Sequence, residues 1–240
     1  MTSRNANHFD HDFTNSISNY FSIEDFNSKF NKQATNTHHT QYNPIVNTTC
    51  SDHLYSQSLS LMHINARSLN KNFDSIELLL TSLQNFQFSV IGISETWLHK
   101  NSPPLYSLEN YQMLRSDRGH RKGGGVAIYA KKDIKFKLRS DLHIENTEHI
   151  FIEILNTDAK NIIVGMIYRA PSDNIDIFLK NFDACLNVIA QENKEVYVMG
   201  DFNINLLKTD NNTTLTFLSI LSSYTFHPHI NNPTRIKEND

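Results

Sequence analysis

The chain has 240 residues, 39% hydrophobic and 20% charged, with a formal net charge of −3; this composition suits a globular protein with one substantial core, or a core plus a tail. No run of about 18 apolar residues occurs, which excludes an ordinary transmembrane helix, and the polar start MTSRNANHFDHDF lacks the apolar stretch of a signal peptide. A nuclear or cytoplasmic location without a membrane partner is therefore expected, with the distant Cys50 and Cys185 as free thiols.

Residues 1–58 hold no glycine, nine asparagines and five histidines, and read as a disordered or loosely ordered polar leader. Within it, Ile17, Tyr20, Phe21, Ile23, Phe26 and Phe30 are spaced for one short amphipathic helix. Order is expected from Leu59. LSLMHIN (59–65) reads as a strand, and FDSIELLLTSLQ (73–84) puts Phe73, Ile76, Leu79, Leu80 and Leu83 on one helical face. FSVIGIS (88–94) is a second strand, which predicts a parallel strand–helix–strand layer. A loop with Pro103–Pro104 leads to a strand at 111–116, and the Gly123–Gly125 triplet opens another at 126–130. Strands follow at 134–139, 149–155 and 161–169, then a helix at 173–190, a strand at 195–200 and a helix at 213–224. An α/β fold of two packed sheets with helices outside accommodates this order.

Charge is unevenly spread. Between Arg115 and Arg139 nine Lys/Arg stand against Asp117 and Asp133, a local balance of +7. Such a window is either a solvated strand face or a phosphate-facing surface, and the strand ends favour the second. Apolar strands run into Asn65, Glu95 and Tyr168, and a fourth into the Asp201–Phe202–Asn203 turn. Singly these are turn formers, loop acids or a rim tyrosine. Jointly they supply what phosphodiester cleavage needs: a carboxylate for a divalent ion, a base for water and neutral donors for phosphate oxygens. Glu95 suits the metal ligand, Asp201 the base, and Asn65, Asn203 and Tyr168 the donors.

The blocks HINARSLNKN, ISETWL, RSDRGHRKGGGVAIYAKKD, IYRAPS, GDFNINL and NPTR resemble successive motifs of the endonuclease/exonuclease/phosphatase superfamily. More narrowly they resemble the apurinic-type endonuclease domain of non-LTR (LINE-like, jockey/CR1-type) retrotransposons, over about residues 59–237. The resemblance implies a four-layer α/β sandwich that nicks DNA with Mg²⁺ (Mn²⁺ as the alternative ion), leaving a 3′-hydroxyl that primes reverse transcription. It implies DNA as a partner and a reverse transcriptase domain in a parent polyprotein. By the same resemblance Glu95 binds metal, with Asn65 near metal and phosphate. Tyr168 is the active-site tyrosine, Asp201 and Asn203 position the attacking water and support the transition state, and Thr234 lies beside phosphate. Arg67 stands where many relatives carry a carboxylate, which makes it a phosphate contact or an ion-pairing arginine. With Arg115, Arg118 and Lys122 it forms the expected DNA-binding set. The family pattern ends in a Ser–Asp–His block beyond NPTR. This sequence reaches Asp240 without one, so the domain from 59 to 240 is expected to lack its last strands and to have impaired turnover. The Ser51–Asp52–His53 string in the leader is expected to be coincidental. An inactive remnant that still binds DNA, and a small-molecule phosphoesterase on the same fold, are the alternatives.

Overall fold

A computed structural model describes residues 59–83, 86–119 and 123–230. The leader with the helix expected at 17–30, Cys50, Ser51–His53, Lys122 and Thr234 lie outside the described residues. Strand β1 (Leu61–Asn65) is followed by helix α1 (Leu69–Ser82) and strand β2 (Val90–Ser94), which pairs parallel to β1. Antiparallel β3 (Tyr111–Ser116) and β4 (Val126–Lys131) complete the first sheet in the order β1-β2-β4-β3. The second sheet mirrors this plan. Its strands β5 (Phe136–Leu138), β6 (Glu148–Ile154) and β7 (Ile162–Tyr168) form a meander, and helix α2 (Ile175–Ala190) crosses to parallel β8 (Glu195–Asp201), giving the order β5-β6-β7-β8. Helix α3 (Asn212–Ser223) comes last.

Three apolar layers hold these elements in a four-layer α/β sandwich, as expected. Ile76 and Leu69 of α1 pack with Ile91 and Ile93 on the outside of the first sheet. Phe178, Phe182 and Phe217 from α2 and α3 cover the outside of the second. Between the sheets lie Val90, Ile128, Ile152, Val164 and Met166. Strand β2 is buried along its whole length because a helix covers one face and the other sheet covers the opposite one. A Cβ at Gly92 would lie 2.6 Å from Met166 Sδ, so the sheets approach closely there. No helix among the described residues is long and apolar enough to cross a membrane. Cys185 is free and buried, and burial pushes its thiol up to about 11.

Most boundaries fall within three residues of those read from the sequence, with one clear exception. Helix α1 begins at Leu69, four residues before Phe73, because its first turn contains Asn70 and Asn72, weak helix formers. Tertiary bonds override that weakness. Buried Asn72 donates from Nδ2 to Ala66 O at 2.9 Å, and Asn70 accepts from the Tyr106 hydroxyl at 3.1 Å. Helices α2 and α3 are each capped by an asparagine side chain, Asn174 and Asn211, which accept from the first exposed N–H groups.

Candidate active site

The two parallel pairs bring the four polar strand ends to one edge of the sandwich. Asn65 is in register with Ser94, which precedes Glu95, and Tyr168 with Asp201. One side chain then joins the sheets. The Asn65 amide nitrogen Nδ2 donates to Glu95 Oε1 and to Asp201 Oδ2, both at 2.9 Å. Its carbonyl oxygen faces the following loop and accepts from Arg67 N at 3.2 Å. Two carboxylates from different sheets thus converge on one neutral donor.

Left-handed backbone surrounds this centre. Arg67, Ser68, Glu95, Trp97 and Asn203 have φ values of 42°, 97°, 53°, 55° and 51°. Such conformations persist only when neighbours fix them. Here Ser68 N donates to Glu95 O at 2.8 Å and Leu69 N to Thr96 O at 2.9 Å, while Trp97 N donates to Gly124 O at 2.9 Å. Glu95 is held from both sides by its neighbours' backbones.

Asp201 and Asn203 form a closed turn. Asp201 Oδ1 accepts from Asn203 N at 2.9 Å, and Asn203 Nδ2 donates to Arg169 O at 2.8 Å. Beneath them, Arg169 is buried and donates to the carbonyls of Phe202 (2.7 Å), Asn203 (2.9 Å), Ala170 (3.0 Å) and Asp173 (3.1 Å). Beside this turn a polar cavity of about 320 Å³ opens between Arg169, Asn203, Lys208 and Asn211.

Tyr168 is buried beside the carboxylates. Burial raises its hydroxyl pKa, and the Glu95 and Asp201 carboxylates raise it further while Arg118 opposes them. The hydroxyl therefore stays protonated and can donate. Arg118 sits over the Tyr168 ring, with Cζ 5.7 Å from its centroid. Its guanidinium is bidentate to Glu148, through Nε to Oε1 and Nη2 to Oε2 (2.8 Å).

The expected basic surface divides on folding. Arg115 and Arg118 lie at the end of the strands that carries the site, Arg115 within 3.4 Å of Asp117. Half-buried Arg67 lies in the loop after Asn65. Lys131 to Arg139 lie at the opposite end, as the pairing of Ala130 with Val90 and of Phe136 with Ile154 requires. There Lys131 pairs with Asp133, Lys137 with Glu153, and Arg139 with Asp141, Glu153 and Glu192. Three of the five basic residues in this half are ion-paired, and all five lie at the end of the strands away from Glu95 and Asp201, which corrects the reading of this half as phosphate-facing.

Three residues beside the centre escaped the sequence reading. His63 lies two residues before Asn65 on the same face of β1, its Nε2 3.0 Å from Ser94 Oγ. Burial lowers its pKa to about 4 against the pull of Asp201. Alternation along the strand was the available signal. Trp97 donates from Nε1 to Glu95 Oε2 at 3.2 Å. Arg169 follows Tyr168 directly, and nothing in the sequence marks it as a clamp.

Among the described residues no group of three or more His, Cys, Asp or Glu is placed to hold a metal. Glu95 and Asp201, bridged by one amide, form a two-carboxylate set. That set fits Mg²⁺, which takes one or two carboxylates and completes its shell with water.

Carboxylates, amides and a tyrosine hydroxyl are thus gathered where the two sheets end. The chain belongs to the endonuclease/exonuclease/phosphatase family, whose model matches residues 62–236. Among solved structures it is similar to the endonuclease domain of TRAS1, a telomere-specific non-LTR retrotransposon, at 13% identity and a TM-score of 0.53 over 72% of this chain and 75% of that one. It is also similar to the AP endonuclease LMAP from Leishmania major, at 15% identity and a TM-score of 0.54 over 69% of this chain and 66% of that one. At such identities the likeness bears on the fold. No curated protein matches the sequence.

Proposed function

We propose that the chain is a DNA endonuclease that nicks a phosphodiester with the help of Mg²⁺, or Mn²⁺ in its place, as the endonuclease domain of a non-LTR retrotransposon. The observation that carries this reading is the shared amide: Asn65 Nδ2 lies 2.9 Å from both Glu95 Oε1 and Asp201 Oδ2. Glu95 would hold the ion with Asp201 beside it, and Asn65, which fixes the two carboxylates, would serve ion and phosphate from the same point. A bound divalent ion supplies Lewis-acid stabilisation of the charge that builds on the phosphate. Asp201, oriented by Asn65 and by Asn203 N, takes a proton from the attacking water. The protonated Tyr168 hydroxyl and the Asn203 amide donate to phosphate oxygens. Arg67 and Arg115, with Lys122 and Thr234, contact the flanking backbone phosphates. Arg118 is engaged by Glu148 over the Tyr168 ring, so its assignment here is to hold Tyr168 rather than to grip phosphate. The nick's 3′-hydroxyl would prime a reverse transcriptase domain of the same polyprotein.

The test is conversion of supercoiled plasmid to open circles by the purified full chain in Mg²⁺. The expected result is nicking that Glu95→Ala and Asp201→Ala abolish. Salt-sensitive DNA retention without nicking would replace this reading with that of a binding protein. Hydrolysis of a sugar phosphate without either would replace it with a small-molecule phosphoesterase.

A further inference from the structure

The only tryptophan of the chain, Trp97, stands two residues beyond Glu95 with its side chain open to solvent. It is 40% exposed, unusual for the largest apolar side chain. Its backbone is left-handed at φ 55°, rare for a bulky residue. The bond from Trp97 N to Gly124 O holds that conformation. Gly123 lies beside the indole, so that a Cβ added there would come within 3.6 Å of Nε1 and 3.9 Å of Cε2. The ring is thus supported and exposed at once. Its N–H donates to Glu95 Oε2, while Asn65 holds Oε1. A carboxylate has about four lone-pair sites, so these two donors set its plane and leave the remaining sites for an ion.

We propose that Trp97 is a stacking platform for one unpaired base next to the cut phosphate, and that its indole N–H makes it a positioning residue for Glu95. The proposal rests on the nuclease reading above and adds a substrate class to it. A base inside duplex DNA has both faces covered by its neighbours, so a single ring can stack only on a base at an end, a flap, a mismatch or a flipped position. DNA with such a base is the preferred substrate. Phosphate-directed arginines grip any backbone, and the tryptophan adds the selection.

The single tryptophan makes the test direct, since all indole emission reports this site. The full chain is titrated with a short single-stranded oligonucleotide without divalent ion, and separately with Mn²⁺ alone. Saturable quenching by each is expected. Trp97→Phe keeps a ring and loses the donor. Oligonucleotide affinity, read by anisotropy of a labelled strand, should stay within about twofold, whereas Mn²⁺ affinity, read from the electron paramagnetic resonance of the free ion, should fall about 10- to 100-fold, as for other outer partners of metal ligands. Trp97→Ala should in addition weaken oligonucleotide binding about 5- to 100-fold. The parent should nick a duplex with one mismatch faster than the same duplex fully paired, and the alanine variant should lose that preference.

Oligonucleotide binding that leaves emission unchanged, or Phe and Ala variants that bind DNA alike, overturns the platform. A Phe variant with parental Mn²⁺ affinity overturns the link to Glu95. A parent that nicks without quenching sinks this proposal alone. A parent that is quenched and shows the variant pattern but never nicks sinks the nuclease reading and leaves the platform standing. A parent that binds no DNA overturns both.

Discussion

Asn65 links the ends of the two sheets through one side chain. Its neutral amide donates to one carboxylate from each sheet and so fixes their mutual placement. Asn65→Ala should therefore lower nicking about 10²–10³-fold, the usual loss for one preorganised donor, while circular dichroism stays parental. A loss of helical signal would mean that the residue holds the fold instead. Tyr168→Phe removes only a hydroxyl and keeps the ring under Arg118. Nicking should fall about 10²-fold. Since burial and the carboxylates raise the hydroxyl above its ordinary value of 10.0, the parent's pH–rate profile should show no tyrosine ionisation below that value. Arg118→Lys separates two roles. If the guanidinium supports Tyr168, kcat falls while the salt dependence of DNA binding is unchanged. A salt slope reduced by about one would instead show a phosphate contact.

At the scale of elements, the strand ends were legible because each apolar run stops abruptly at a polar residue, a boundary that needs no tertiary information. Asn65, Glu95, Tyr168 and Asp201 were all found that way. What supports them was not legible. The Arg118–Glu148 pair spans 30 residues, and Arg169 works through backbone carbonyls of a loop 33 and 34 residues away; neither spacing has a local signature. Gly200 is a further case. It reads as an ordinary residue of the GDFN turn, yet in the structure its φ is 150° and an added Cβ would fall on the carbonyl of Ile167, its partner in the parallel β7–β8 ladder. Gly200→Ala forces those strands apart just before Asp201. Soluble yield should collapse, or the melting temperature should drop by the equivalent of more than about 4 kcal/mol. Gly119→Ala, with nothing within 4 Å of the added carbon, is the control and should melt like the parent. Equal melting of the two would refute the close approach.

For the whole molecule, a run of lysines in sequence says nothing about which end of a strand each will occupy, and the window from Arg115 to Arg139 splits for that reason. Lys137 and Arg139 of its distal half belong to a network that closes the far end of the second sheet. Glu153, 1% exposed, accepts from Lys194 (2.8 Å), Asn161 (2.7 Å) and Arg139 (2.8 Å), with Lys137 at 3.2 Å. Glu192 bridges Arg139 and Lys194. These bonds tie the segment after β5 to β6, to the start of β7 and to the turn before β8. Burial pushes the Glu153 carboxyl up, but Lys194, Asn161, Lys137 and Arg139 outweigh it and hold the pKa at about 2, against an ordinary 4.5. Between those values the unfolded chain binds a proton that the folded chain does not, so stability is full above about pH 4.5 and falls as the pH drops toward 2. Thermal melting followed across that range should show the decline. Glu153→Gln should flatten it and also destabilise the protein at neutral pH by about 3 kcal/mol, because Arg139 and Lys194 lose a buried counter-charge. An unchanged slope in the variant would mean that other carboxylates carry the acid response. The network lies at the opposite end of the strands from Glu95. At a temperature where Glu153→Gln remains folded, its nicking rate should therefore match the parent's, which separates the network that sustains the fold from the site proposed to cut.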